Sequence, residues 1–171
     1  MPLLHITNSW HANWRTRAQP HFTSSTSMIN RQITYDTPPK KGLSQQDLEQ
    51  LLKHWQGKLN MDDWRLDLKI VDFKRGNGYR QSGDFIATPE EKTATILMTW
   101  DPWRGDEEYV LLHELLHSLI YDFDRHCEKY VLYRCATDSD EHAAYMGKLE
   151  NVVHHLTRAF LGRPGPEGIA P

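Results

Sequence analysis

The sequence predicts an α+β domain in which a leading helix, a small mixed sheet and two further helices follow one another between residues 42 and 161. Three observations predict this order. Apolar residues recur at helical spacing after Ser44, apolar and polar residues alternate in short runs between residues 64 and 99, and long helical patterns follow Asp106. Strands followed by helices are typical of the α+β class. One domain is expected, because 171 residues support one core but are short for two.

The leading helix is predicted to begin at Ser44, because Asp47 three residues later completes a pattern that resembles a capping box. One face of this helix carries apolar residues with a period near 3.6. They are Leu48, Leu51, Leu52, Trp55 and Leu59.

Three strands are predicted next. Residues 64–70 alternate between apolar and polar side chains, which is typical of a strand with one buried face. A second strand is expected within residues 79–87 and a third at residues 93–99, before the break at Asp101 and Pro102.

Two helices complete the domain. The first is expected at residues 106–122, and its nearly continuous apolar sequence predicts burial on most sides. The second is expected at residues 138–161, before Gly162 and Pro164 end regular structure. Residues 162–171 are expected to form a disordered tail.

Residues 1–41 differ from the domain, since they are rich in Ser, Thr, Asn and His without a sustained apolar period. Their composition favours a flexible leader. Two alternatives remain open: a pro-segment that covers the site and brings His5, His11 or His21 to a metal, or translation that begins at Met28.

Composition and charge exclude several function classes. The net charge of −3, without a Lys/Arg stripe, argues against nucleic-acid binding, and no run approaches the roughly 18 apolar residues of a membrane span. No signal peptide is recognisable. Cys127 and Cys135 are too few for a disulfide framework, so free thiols in a cytoplasmic protein are expected, with a single bridge between them as the alternative. The chain is expected to be a monomer.

The most specific pattern is His113-Glu114-Leu115-Leu116-His117. Residues four apart share one face of a helix, so the two histidines can present ring nitrogens to one metal ion. The carboxylate of Glu114 lies about 100° further round the helix, where it can reach a water on that ion without binding the metal. Zinc lowers the pKa of such a water, and a neighbouring carboxylate can accept its proton.

The surroundings of this motif strengthen the metal hypothesis. Apolar residues precede, fill and follow it, and buried histidines and carboxylates are costly unless something satisfies them. The alternative interpretation is a helix edge at the surface, with both histidines facing water.

A catalytic zinc needs a third protein ligand and one open position. The metzincin arrangement fails, because Ile120 and Phe123 stand where it requires Gly and His. The remaining candidates are His126, Cys127, Asp138, Asp140, Glu141, His142 and Glu150.

Glu141 is the predicted third ligand. The last helix has an apolar stripe of Tyr145, Leu149, Val152 and Leu156, and at about 100° per residue Glu141 falls on it while Glu150 lies opposite. Asp138 and His142 are the alternatives. Glu141 could also be stabilised without a metal by the positive end of the helix dipole.

The motif and the order of elements resemble the gluzincin metallopeptidases, in particular the minimal single-domain members and metallopeptidase-like proteins of phage and bacterial genomes. The resemblance covers Ser44 to about Leu161 and implies a zincin-like fold. It also implies that residues 93–99 are the edge strand along which a peptide or protein substrate docks by strand addition.

One position departs from this family. Thermolysin-like enzymes place an aspartate four residues after the ligand glutamate, where this sequence has Tyr145. The family also uses a Tyr or His to stabilise the oxyanion. Candidates here are Tyr145, His142, His154 and Tyr130.

The sequence therefore predicts a zinc-dependent endopeptidase. His113, His117 and Glu141 bind the metal, and Glu114 is the general base. The alternative is an inactive, zinc-stabilised binding or regulatory module. Zinc is predicted from the motif, since two histidines and a carboxylate also bind iron(II), manganese or cobalt.

Overall fold

A computed structural model describes residues 31–35, 43–73, 81–102 and 106–163 of the chain. Four strands form one mixed sheet in the order β1-β2-β4-β3. They are β1 (Arg31–Tyr35), β2 (Arg65–Ile70), β3 (Gly83–Thr88) and β4 (Thr93–Met98). β1 and β4 run parallel to β2 on either side of it, and β3 runs antiparallel to β4. The α+β class with a small mixed sheet is confirmed.

The expectation that residues 93–99 form the edge strand is wrong. β4 pairs along its whole length with β2 on one side and with β3 on the other. The edge on this side of the sheet is β3, which returns through a short 3-10 turn (Pro89–Glu91) into β4. Alternation identifies a strand but not its neighbours, so the sequence pattern could not order the two.

The sheet also begins earlier than the predicted domain start at residue 42. β1 lies within the segment predicted as a leader, and its register pairs Arg31 with Leu66 and Tyr35 with Ile70. The other residues of the predicted leader, including His5, His11, His21 and Met28, lie outside the described residues.

Three helices accompany the sheet: α1 (Gln45–Lys58), α2 (Glu107–Leu132) and α3 (Asp140–Phe160). The predicted capping box of α1 is confirmed, because the Asp47 backbone N–H donates to Ser44 Oγ and the Ser44 N–H donates to Asp47 Oδ2. α2 continues well beyond Asp122, since no Gly or Pro interrupts residues 123–132.

α2 lies at the centre of the fold. It packs against β3 and β4 on one side and against α3 on another. The completely buried core side chains come from the sheet and the helices together and include Leu52, Leu66, Leu68, Ile96, Leu111 and Leu115. Among the described residues, no helix combines the length and apolar character needed to cross a membrane.

The predicted tail, residues 162–171, begins directly after the cap of α3. Leu161 caps that helix, and Arg163 forms an ion pair with Asp106 at the start of α2. Residues 164–171 lie outside the described part of the chain.

Candidate metal centre

The first half of α2 is buried on every side, because all residues from Val110 to Ser118 are buried. His113, Glu114 and His117 are therefore enclosed, with 6%, 3% and 7% of their surfaces exposed. The interpretation of these histidines as a solvated helix edge is excluded. Three buried ionisable groups within one helix turn require compensating partners.

Glu150 of α3 meets both histidines. The Nε2 atoms of His113 and His117 are 3.1 Å apart. Glu150 Oε1 lies 3.2 Å from His117 Nε2, and Glu150 Oε2 lies 3.4 Å from His113 Nε2. Ligands held about 2.0–2.1 Å from a tetrahedral zinc are separated by roughly 3.3 Å. Each ring nitrogen therefore lies about this far from the other ring nitrogen and from one Glu150 oxygen, and a different oxygen faces each ring.

The prediction of Glu141 as the third ligand is not supported by this geometry. Glu141 is exposed in the first turn of α3, whereas Glu150 contacts both histidines. The buried residues of α3 are His142, Met146, Val153 and Thr157. The true buried face is thus rotated by roughly 80° from the predicted stripe, which brings Glu150 to its edge and turns Glu141 away.

Burial and mutual contact set the protonation of these ligands. Burial lowers the pKa of His113 to about 4, although its contact with Glu150 opposes the shift. Burial opposes ionisation of Glu150, but hydrogen bonds from His113 and His117 outweigh it and hold the pKa of this carboxyl well below its usual range. A neutral imidazole and an ionised carboxylate are the forms that bind a metal.

Glu114 lies between α2 and the edge strand β3. An added Cβ on Gly83 would stand 2.4 Å from Glu114 Oε1 and 2.8 Å from its Cγ, so this contact requires glycine in the strand. Burial raises the pKa of the Glu114 carboxyl well above its usual range, and the nearby Asp84 and Glu150 raise it further. The side chain is thus placed beside the donors without being one of them.

Aromatic rings hold both histidines in position. Phe85 of β3 stacks on His117 with an interplanar angle of 9°, and Tyr109 stacks on His113 at 17°. Metal-binding histidines usually donate their second ring nitrogen to an acceptor. His113 Nδ1 is buried, and no residue in the described ranges hydrogen-bonds to it.

His154 lies at the border of this cluster. Its Nδ1 is 2.7 Å from the Tyr109 hydroxyl, and its Nε2 is 3.9 Å from Glu150 Oε2. Its ligand atom lies within 4.8 Å of those of His113 and Glu150, so these three could also share a metal. The 3.9 Å separation exceeds a tetrahedral edge, whereas the distances to His117 do not. We therefore call His113, His117 and Glu150 the inner set, and we place His154 outside it.

From the sequence, Glu150 is one candidate for the third ligand but Glu141 is preferred, and His154 is a candidate only for stabilising the oxyanion. Their spacing of four residues was the available signal, because it places both on one face of α3. The signal became readable only once the buried face of α3 was known.

The other predicted candidates serve elsewhere. His142 Nε2 lies 2.9 Å from Glu128 Oε1, and its Nδ1 lies 2.8 Å from the Thr137 carbonyl. The Tyr145 hydroxyl donates to Asp124 Oδ1 at 2.6 Å, so it links α3 to α2 and its proton is already used in that hydrogen bond. His126, Tyr130, Asp138 and Asp140 are exposed, and Cys127 and Cys135 are free thiols.

Comparisons of the chain with protein-family models, with curated proteins and with solved structures found no match.

Proposed function

We propose that this protein is a zinc-dependent metallopeptidase in which His113, His117 and Glu150 bind the metal and Glu114 is the general base. One observation carries the proposal. Two buried imidazoles of α2 and one partly buried carboxylate of α3 converge: the two Nε2 atoms are 3.1 Å apart, Glu150 Oε1 lies 3.2 Å from His117 Nε2, and Glu150 Oε2 lies 3.4 Å from His113 Nε2. These are close to the roughly 3.3 Å that zinc requires between its ligands.

The chemistry of the donors also favours a metal. Among the described residues, the ion-pair partners of Glu150 are His113, His117 and His154, and burial favours the neutral form of His113. A divalent cation would neutralise the carboxylate and use the lone pairs of both rings. Two histidines with one carboxylate leave one position open on a tetrahedral ion, as catalytic zinc sites do.

Glu114 supplies what a purely structural site does not need. A bound zinc ion would lower the pKa of a coordinated water and polarise a substrate carbonyl. A bound cation would also oppose the raised pKa of Glu114 and favour its ionised form, in which it would accept the proton of the attacking water and pass it to the leaving amine. Its enclosure against Gly83 fixes the carboxylate beside the ligand cluster.

The edge strand β3 supports a peptide as the substrate. β3 lies against α2 and places Phe85 on His117, and no other described strand pairs with its outer edge. An extended peptide can add to such an edge through backbone hydrogen bonds. The substrate is therefore proposed to dock along Gly83–Thr88 and not, as the sequence predicted, along residues 93–99.

A second candidate function rests on His154. If its ring moved onto the metal, four protein ligands would close the site, as in structural zinc centres. The protein would then be a zinc-stabilised binding or regulatory module. The buried Glu114 favours the catalytic proposal, since a closed centre gives a base no water to act on.

The test is a Glu114→Gln variant, assayed for zinc content and for cleavage of a peptide library beside Glu141→Gln as a matched control. We expect Glu114→Gln to keep the metal and lose hydrolysis by a factor of at least about 10². Glu141→Gln should cleave like the unchanged protein, because Glu141 is exposed. Full activity of Glu114→Gln would refute the proposed base. Zinc retention with no cleavage by the unchanged protein would favour the closed module.

A further inference from the structure

The second half of α2 carries an exposed apolar stripe. Leu119, Phe123, Tyr130 and Tyr133 are 40%, 70%, 65% and 89% exposed. His126 is also exposed and makes an edge-to-face contact with Tyr130, with ring centroids 5.0 Å apart. These five residues follow one another at spacings of four, three, four and three, which is the pattern of a coiled-coil seam.

The stripe continues a face that is buried in the first half of the helix. Leu112 and Leu116 precede Leu119 at the same alternating spacing, and they are 0% and 2% exposed. The second half of the helix therefore extends beyond the core, and the same row of apolar residues continues along it. Apolar and aromatic side chains in continuous exposed rows mark interaction surfaces more often than isolated ones do.

Two charged residues beside the seam select a partner. Asp122 and Lys129 both precede a seam residue, so they occupy equivalent flanking positions one heptad apart, and both are exposed. When two such helices pair antiparallel, these flanking positions face each other. Asp122 then meets Lys129 of the second copy, and the two-fold symmetry repeats the pair.

A parallel pairing lacks this complementarity. It would bring Asp122 towards Cys127 of the other copy, which carries no balancing charge, and Lys129 towards the turn that follows the end of α2. The charge pattern thus favours a second copy of this chain in the antiparallel orientation.

We propose that the exposed half of α2 is a homodimer interface, formed by antiparallel pairing of two copies. In this register Leu119 packs on Tyr130 of the second copy and Phe123 packs on His126. Tyr133 caps the end of α2 and lies outside these four layers. The proposal departs from the expected monomer and goes beyond the proposed function.

The interface leaves the metal centre open. At about 100° per residue, Leu119 lies roughly 160° round α2 from His117, so the seam and the ligand face point in nearly opposite directions. Dimerisation and metal binding are therefore separable in experiment.

The test is sedimentation equilibrium of the full-length protein over a wide concentration range, together with charge variants. Asp122→Lys and Lys129→Asp should each weaken dimerisation by about tenfold, because each creates two like-charge contacts. The combined swap should restore it. Phe123→Ser with Tyr130→Ser should abolish the dimer, and Val152→Ser, at an exposed apolar residue of α3, is the control that leaves it unchanged.

Circular dichroism and zinc content of each variant show that the fold and the metal centre persist. A protein that is monomeric at every concentration would overturn the proposal, as would a dimer that survives Phe123→Ser with Tyr130→Ser. Failure of the charge swap to restore pairing would also overturn it. A dimer that forms only after removal of residues 1–30 would show that this segment, rather than a second copy, covers the stripe in the intact chain.

Discussion

The contact between Gly83 and Glu114 gives a prediction with a definite sign and size. A Cβ added at Gly83 would lie 2.4 Å from Glu114 Oε1, 2.7 Å from Val110 Cγ1 and 2.8 Å from Glu114 Cγ. Real Cβ contacts are not this short, so the Gly83→Ala variant must move one of these side chains. Glu114 is only 3% exposed, which limits where it can go.

Overpacking of this kind costs about 1–3 kcal/mol of folding free energy. In a domain of this size each kcal/mol lowers the melting temperature by about 2–4 °C. Gly83→Ala should therefore melt several degrees below the unchanged protein. Because the displaced group is the proposed base, peptide hydrolysis should fall further than stability alone explains.

Gly147 is the matched control. It lies within α3, and a Cβ there would have no neighbour within 4 Å. Gly147→Ala removes a flexible residue from a helix interior and should stabilise the protein by about 0.5–1 kcal/mol. The same substitution at two glycines is thus expected to act in opposite directions.

Urea unfolding of the zinc-free proteins measures both effects. The cost of Gly83→Ala should be smaller in a Glu114→Ala background, because two of its three close contacts then disappear and only Val110 remains. Equal stability of Gly83→Ala and the unchanged protein would refute the placement of Glu114 against β3. A cost that is independent of Glu114 would refute it equally.

Further predictions concern the groups around the metal centre. The ordinary pKa of 6.5 of His113 falls to about 4 on folding, so the unfolded chain binds its proton first. The Glu114 carboxyl, whose pKa is raised by burial, acts in the opposite direction over the same range, so the test uses the Glu114→Gln variant. Without zinc, this variant should lose stability, by up to roughly 3 kcal/mol, as pH falls from about 6.5 to 4. Glu150, whose pKa is lowered on folding, adds to the loss of stability at the acid end of this range. An unfolding free energy that stays constant from about pH 6.5 to 4 would contradict this prediction. Tyr145→Phe removes the hydroxyl whose single proton is donated to Oδ1 or the carbonyl oxygen of Asp124, and it should cost about 1–3 kcal/mol in urea unfolding without loss of zinc. His154→Ala should change zinc affinity, followed by competition with a chelator, by less than about tenfold, since its Nε2 stands outside the inner set. A loss as large as that of a true ligand would make it one.

The fold was largely predictable because local signals dominate it. The Ser44 capping box, the alternation in β2 and the dense apolar sequence of α2 each identified an element. Strand order is a different matter, because it depends on contacts between distant segments. The places of β4 and β3, and the inclusion of β1, are set by pairing that no single segment encodes.

The site divides in the same way. His113, Glu114 and His117 were predictable because one helix turn fixes their relation. The third ligand depends on the rotation of α3 about its axis, and apolar residues on two overlapping faces made that rotation ambiguous. Val152, which the predicted stripe contained, is 53% exposed, while Val153 beside it is completely buried. Placing the buried face of α3 one residue away from its true position thus led the sequence analysis to prefer Glu141 over Glu150.

The central claim is that α2 and α3 share one metal ion through His113, His117 and Glu150. Elemental analysis after zinc loading and desalting tests it most directly, with Glu150→Gln and Glu141→Gln compared beside a variant in which both histidines are Ala. The account predicts about one zinc per chain in the unchanged protein and in Glu141→Gln, with loss of the metal from Glu150→Gln and from the double histidine variant. Zinc retained by Glu150→Gln but lost from Glu141→Gln, or no zinc in any of the proteins, would contradict it.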